Sequence, residues 1–161
     1  MDLIYLGKLV NTHGIKGEVR IIIDFKYKDT VFKKGNNLYI NNKSFNIETY
    51  RIHKNYDMVK LDSINSIEDA LNIKGSNIYI NRDEYEFEGY LDEDLIGLEV
   101  YDNNKCKGKV IDIYKTNIYD LLVIDGIKRH TVPNIDTFVK EVDLKNKRIY
   151  IEYIGGLDNE D

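Results

Sequence analysis

The chain has 161 residues, 42% of them hydrophobic and 32% charged, which suits a packed globular protein and excludes a disordered one. A net charge of −5 hides an asymmetry: residues 1–84 carry 13 basic and 11 acidic side chains, residues 85–161 carry 10 and 17. One cysteine, Cys106, excludes an intrachain disulfide and a cysteine-based zinc cluster, and no apolar run nears the roughly 20 residues of a membrane-spanning helix.

The opening segment, Tyr5 to Ile21, reads as strand, tight loop, strand. Ile4 to Val10 and Val19 to Phe25 form the arms, and Gly14 and Gly17 give the reversal its backbone freedom. The tip presents Thr12, His13, Lys16 and Arg20 with no acid or thiol beside them that would suggest catalysis. His13, Lys16 and Arg20 therefore suit contact with a partner better than chemistry.

Strands are expected at Asn37 to Ile40, Phe45 to His53 and Met58 to Leu61, with Asn41-Asn42-Lys43 as turn material. Phe25-Lys26-Tyr27-Lys28 and Phe32-Lys33-Lys34 pair rings with cations and offer weak base-stacking potential. Ile67 to Ile73 reads as a helix, with Ser66 as N-cap, Asp69 three residues on, Gly75 as terminator and Ile67, Ala70 and Leu71 on one face. Asn77 to Ile80 closes this half, and close strand spacing suggests a barrel.

Asp83 to Asp94 contains seven carboxylates and no burying alternation, so it reads as an extended acidic linker whose Tyr85, Phe87 and Tyr90 need a packing partner. Beyond it come strands at Glu99 to Tyr101, Lys109 to Tyr114, Asp120 to Ile124, Lys128 to Val132 and Arg148 to Tyr153, with Asp125-Gly126 as a hairpin signal. Pro133 ends the fourth of these, and Asp136 to Val139 reads as one helical turn. A second small barrel is the economical arrangement. The expected division is residues 1–83, linker 84–94 and residues 95–161.

Chemistry-bearing constellations are sparse. Gly14-Ile-Lys-Gly17-Glu lacks the spacing and closing residues of a phosphate-binding loop. His13, His53 and His130 fall in separate segments without the spacing of a metal site, and Cys106 sits between lysines with no histidine nearby in sequence. No catalytic residue, metal or cofactor is expected. A small-molecule or metal-binding barrel enzyme and a general RNA-binding module remain alternatives.

Three segments in order resemble the ribosome maturation factor RimM family over nearly the whole chain. They are Gly7-Lys8 with Thr12-His13-Gly14-Ile15-Lys16-Gly17-Glu18-Val19-Arg20; Asp94-Leu-Ile-Gly-Leu-Glu-Val100 with Gly108-Lys109-Val110; and Asp120-Leu-Leu-Val123 with Val132-Pro133 and Phe138-Val-Lys-Glu-Val-Asp143. The resemblance implies a mainly β protein of two tandem barrels, one related to translation-factor barrels and then a PRC-type barrel. It implies a non-enzymatic, cytoplasmic assembly factor that binds the immature small ribosomal subunit, chiefly through head protein nineteen, and aids maturation of the 3′ domain of 16S rRNA, with no membrane or DNA partner. The family's aromatic pair before Asp-Leu-Ile-Gly reads Tyr90-Leu91 here, making those two residues the candidates for protein contact, while His13, Lys16 and Arg20 become the candidates for contact with rRNA or the ribosome. Tyr90→Ala is expected to weaken that contact and leave unfolding nearly unchanged. Asn117 and Tyr119 stand where the family has Gly and Asn in a Thr-Gly-x-Asn-Asp loop.

Overall fold

The computed structural model describes residues 1–153. The chain forms two compact units, Met1–Glu88 and Gly89–Asp161, divided inside the segment expected to link them.

The first unit is a closed barrel of strands β1 (Leu3–His13), β2 (Glu18–Ile23), β3 (Asn37–Ile40), β4 (Lys43–His53), β5 (Tyr56–Leu61) and β6 (Asn77–Asn81), ordered β1-β2-β5-β4-β3-β6. Alternation explains the closure. Leu6, Val19, Ile40, Ile47, Leu61 and Ile80 point inward and are almost wholly buried, while their sequence neighbours face out. The β3–β4 and β4–β5 hairpins turn through Asn41-Asn42 and Lys54-Asn55, all four at positive φ, the geometry that matches the twist of paired strands. Asparagine tolerates that backbone best among residues with side chains, so the Asn-rich sequence does the turning.

At the β1–β2 turn, Gly17 has φ +92° and lies so close to the neighbouring chain that an added Cβ would meet the Ile64 carbonyl oxygen at 2.1 Å. Only glycine fits. His13 pairs with Glu18, so β1 runs three residues past Val10 and His13 belongs to the strand rather than to the loop tip.

Helix α2 (Ile67–Ile73) follows a one-turn helix α1 (Lys28–Val31) that the sequence did not signal. The Asp69 amide donates to the Ser66 hydroxyl at 3.1 Å, and the Asp69 carboxylate accepts from the Asn65 amide at 3.0 Å. The face that α2 buries is Ala70 and Ile73; Ile67 and Leu71, expected on the buried stripe with Ala70, are exposed. A seven-residue helix against one strand buries only what an i, i+3 pair covers.

The segment expected as an extended linker carries a short turn at each end, with residues 85–91 between them outside helix and strand. A 3-10 turn spans Arg82–Glu84, and helix α3 covers Asp92–Leu95, with the Leu91 amide donating to the Asp94 carboxylate at 2.8 Å. Between them Phe87 stacks on Tyr27 and Tyr85, with ring centres 4.8 Å and 5.6 Å away, and meets Phe25 edge-on at 5.7 Å. These rings account for the aromatic content of an otherwise acidic segment: burying aromatic surface outweighs the repulsion of exposed carboxylates, which keep their water. Burial first, then the Glu84 charge, pushes the Tyr85 hydroxyl up to about 12.

The second unit is a six-stranded sheet ordered β10-β9-β8-β7-β12-β11, built from β7 (Glu99–Asp102), β8 (Lys105–Lys115), β9 (Asp120–Asp125), β10 (Arg129–Pro133), β11 (Val139–Asp143) and β12 (Arg148–Ile151). Leu98, Val100, Val110, Leu122, Val132 and Ile149 form its core. Among the described residues, β7 with β12 is the only parallel pair. Residues 136–138 make the expected turn, but Val139 already belongs to β11, a strand the sequence reading left out. Its burial pattern is irregular, with a register shift between Val139 and Glu141, so no clean alternation marks it.

The loop with Asn117 and Tyr119 closes without the family's Gly and Asn. The Thr116 hydroxyl accepts from the Ile118 and Tyr119 amides, and Lys115 bridges Asp120 at 2.9 Å and Asp92 at 2.6 Å.

Candidate functional site

The strands that follow the opening loop bring a cluster of side chains together on the first barrel. The β1–β2 hairpin turns at Gly14 to Gly17 and the β4–β5 hairpin at Lys54-Asn55; β5 runs antiparallel to β2, with Ile21 opposite Asp57, so the two turns lie at opposite ends of that strand pair while Glu18, Arg20, Arg51 and Tyr56 meet across it. His13 and His53, 40 positions apart in sequence, sit with ring centres 5.2 Å apart. Chain distance concealed this pairing.

Arg20 projects from β2 over the Tyr56 ring, with its guanidinium carbon 4.2 Å from the ring centre. A cation over a tyrosine face is held by the ring quadrupole without surrendering all its donors. The Arg20 Nε is buried and has no hydrogen-bond partner within the protein, so this stacked guanidinium keeps unused donor capacity. Beside it, Glu18 accepts two hydrogen bonds from Arg51, from Nε at 2.9 Å and Nη2 at 2.7 Å. That fork holds the Glu18 carboxyl below its ordinary range, with His13 and His53 adding smaller favourable charge effects. Met58 lies in register between Arg20 and Arg51 and is only 2% exposed beneath them.

Exposed cations and apolar side chains flank this cluster in sequence. Lys16 and Ile15 are exposed in the β1–β2 turn, Ile52, Lys54 and Tyr56 are exposed at the β4–β5 turn, and the Glu18 carboxylate is held by Arg51. His13 and Arg20, named from sequence, belong to this cluster, and Lys16 lies in the turn between their strands; His53, Tyr56 and Arg51 complete the cluster and were missed. Only the pairing of β5 with both β2 and β4 brings 51–56 beside β2.

The basic and aromatic run at 25–28 lies elsewhere in the economy of the fold. Phe25 and Tyr27 are committed to Phe87, and Lys28 bridges Asp57 at 3.1 Å. Tyr50 also donates to Asp57, and burial with that hydrogen bond raises its pKa well above the usual tyrosine value. The run therefore fastens α1 to the β4–β5 hairpin.

In the second unit, Tyr90 is half-buried against the core, and its hydroxyl accepts from the Asn134 amide at 3.5 Å. Leu91 is 3% exposed and offers no side-chain surface to a partner. Both aromatic rim and inward leucine follow from α3: the chain turns at Leu91, leaving Tyr90 outside the helix. Among the described residues, no group of three or more His, Cys, Asp or Glu is arranged to hold a metal ion.

Comparison with known proteins agrees across both units. The family model for the RimM N-terminal domain matches residues 4–85, and that for the RimM PRC barrel domain matches residues 92–157. The ribosome maturation factor RimM of Staphylococcus haemolyticus is 38% identical, over 94% of this chain and 96% of its own length. That of Staphylococcus aureus strain NCTC 8325 / PS 47 is 37% identical over the same shares. The crystal structure of a RimM protein from Pseudomonas aeruginosa covers 94% of this chain and 98% of its own, at 22% identity and a TM-score of 0.47. Two adjacent domain models and full-length relatives above one-third identity establish that this chain belongs to the RimM family, whose members are ribosome maturation factors rather than enzymes.

Proposed function

We propose that this protein binds the immature small ribosomal subunit in the cytoplasm, contacts head protein nineteen, and favours the mature arrangement of the 3′ domain of 16S rRNA. The observation that carries this reading is the cluster on the first barrel where Arg20 stacked on Tyr56 and Arg51 paired with Glu18 meet, with exposed Lys16 in the β1–β2 turn and exposed Lys54 in the β4–β5 turn. Cations of this kind neutralise phosphate, and rigid hairpins present them at little ordering cost. The second half, with 17 acidic against 10 basic side chains, complements a basic ribosomal protein. Tyr90 supplies a half-buried aromatic anchor there.

Such a factor acts by differential affinity: it holds a partly folded particle in the native arrangement and leaves when mature contacts replace its own. No bond is made or broken.

The test compares binding of the full chain to purified head protein nineteen, to small-subunit precursors and to arbitrary RNA of equal length. The reading expects the first two to bind more tightly than the third, and Lys16→Glu to weaken precursor binding while sparing the head protein. Equal affinity for arbitrary RNA would instead make this a general RNA-binding module.

A further inference from the structure

A second face of the first barrel bears an aromatic row unconnected with the packing of the core. Tyr5 on β1 is in register with Tyr79 on β6, and Tyr79 with Tyr39 on β3, so three tyrosines cross three adjacent strands on the outer surface. Tyr5 and Tyr79 meet edge-to-face with centres 5.7 Å apart, and Tyr5 remains half exposed. Beside them lies an open groove of about 810 Å³ lined by Leu3, Tyr39, Asn42, Ser44, Asn77 and Tyr79, among others. A sheet surface with exposed rings and amides exposes apolar area at a cost unless something stacks on it.

Charge is graded along this face. At one end the Tyr39 hydroxyl donates to Glu84, and the Asp2 amide donates to Asn81, placing acidic residues near that edge. At the other end exposed Lys8 stands opposite Asn77. The outward row of β1 continues from Tyr5 through Lys8 and Asn11 to His13, about 26 Å at the usual rise per strand residue. Arg20 lies directly opposite Asn11. The rings thus open, through one lysine, toward Arg20 and His13.

We propose that the Tyr5–Tyr79 row binds a single-stranded RNA segment, with bases stacked on the rings and the phosphate backbone leaving past Lys8 toward Arg20 and His13. The gradient of charge selects a polyanion entering from the lysine side, and the rings accept any base, since every base has a stacking face. A duplex hides its bases and cannot use the row. The inference rests on the reading of this protein as an rRNA-binding factor and adds the strandedness of the RNA and the residues that meet its bases.

The test uses the full chain and a fluorescein-labelled oligouridine of about ten nucleotides, a length within the range one barrel accommodates. Anisotropy titrations compare wild type with Tyr5→Ser, Tyr5→Phe and Lys8→Gln, and thermal melts confirm that each variant folds. The proposal expects about a tenfold loss for Tyr5→Ser, near wild-type affinity for Tyr5→Phe, a weaker salt dependence for Lys8→Gln, and poor competition by duplex RNA. Because the chain has no tryptophan, quenching of tyrosine emission by the unlabelled oligonucleotide gives a second readout, smaller in Tyr5→Ser.

Unchanged affinity in folded Tyr5→Ser, or displacement of the oligonucleotide by duplex RNA at equal concentration, would overturn it. Co-sedimentation of wild type with small-subunit precursors separates the two claims. Precursor binding with a silent Tyr5→Ser leaves the assembly role standing and removes the stacking row; loss of oligonucleotide affinity without precursor binding does the reverse.

Discussion

Arg51 shows how one side chain changes the charge of a surface. By taking both Glu18 oxygens it neutralises the carboxylate two positions from Arg20 on β2, which favours a polyanion on the face proposed to meet one. Because the folded Glu18 pKa lies below its ordinary value of 4.5, ionised Glu18 stabilises the fold above that pH. The contribution is lost as pH falls through the depressed value. Glu18→Gln is therefore expected to flatten the acid side of the stability profile, checked by melting temperatures between about pH 3 and 6. Tyr90 is a residue whose two roles the sequence could not separate. Since it packs on the second core, Tyr90→Ala is expected to cost about 3 kcal/mol in denaturant unfolding, contrary to the small effect anticipated for a purely exposed contact. Tyr90→Phe removes only the hydroxyl that meets Asn134 and keeps the ring, so it should unfold like wild type and isolates the polar contribution to partner binding.

At the scale of elements, the sequence was most legible where local rules act alone. Ile67–Ile73 was readable to its last residue because Ser66, Asp69 and Gly75 punctuate it within one short window. Ser66→Ala is expected to cost about 1 kcal/mol by removing the acceptor of the Asp69 amide, measurable by urea denaturation. The Asn pairs likewise announced their turns. Legibility failed where stability comes from distant partners. In the segment 84–94 the carboxylates are visible in sequence, but the packing partner of Phe87 is not, since the Tyr27 face on which it stacks lies some 60 positions away. β11 was hidden by its register shift, which erases the alternation that marks a strand. In the candidate interface, His13, Lys16 and Arg20 were readable because glycines flank them; His53, Tyr56 and Arg51 join only through the pairing of β5 with β2 and β4.

For the molecule as a whole, a first unit with 13 basic and 13 acidic side chains and a second with 10 and 15 suit the proposed factor that meets both RNA and a basic protein. The first unit offers stacked and paired cations on rigid hairpins; the second offers acid and a half-buried ring. Neither needs a reactive centre, because an assembly factor works by the free-energy difference between immature and mature partners. The most direct measurement is co-sedimentation of the full chain with purified small-subunit precursors and with mature small subunits over a series of salt concentrations. The account predicts association with precursors that weakens steeply as salt rises, and markedly less association with mature subunits. Equal association with both particles, or binding to precursors indifferent to salt, would contradict it.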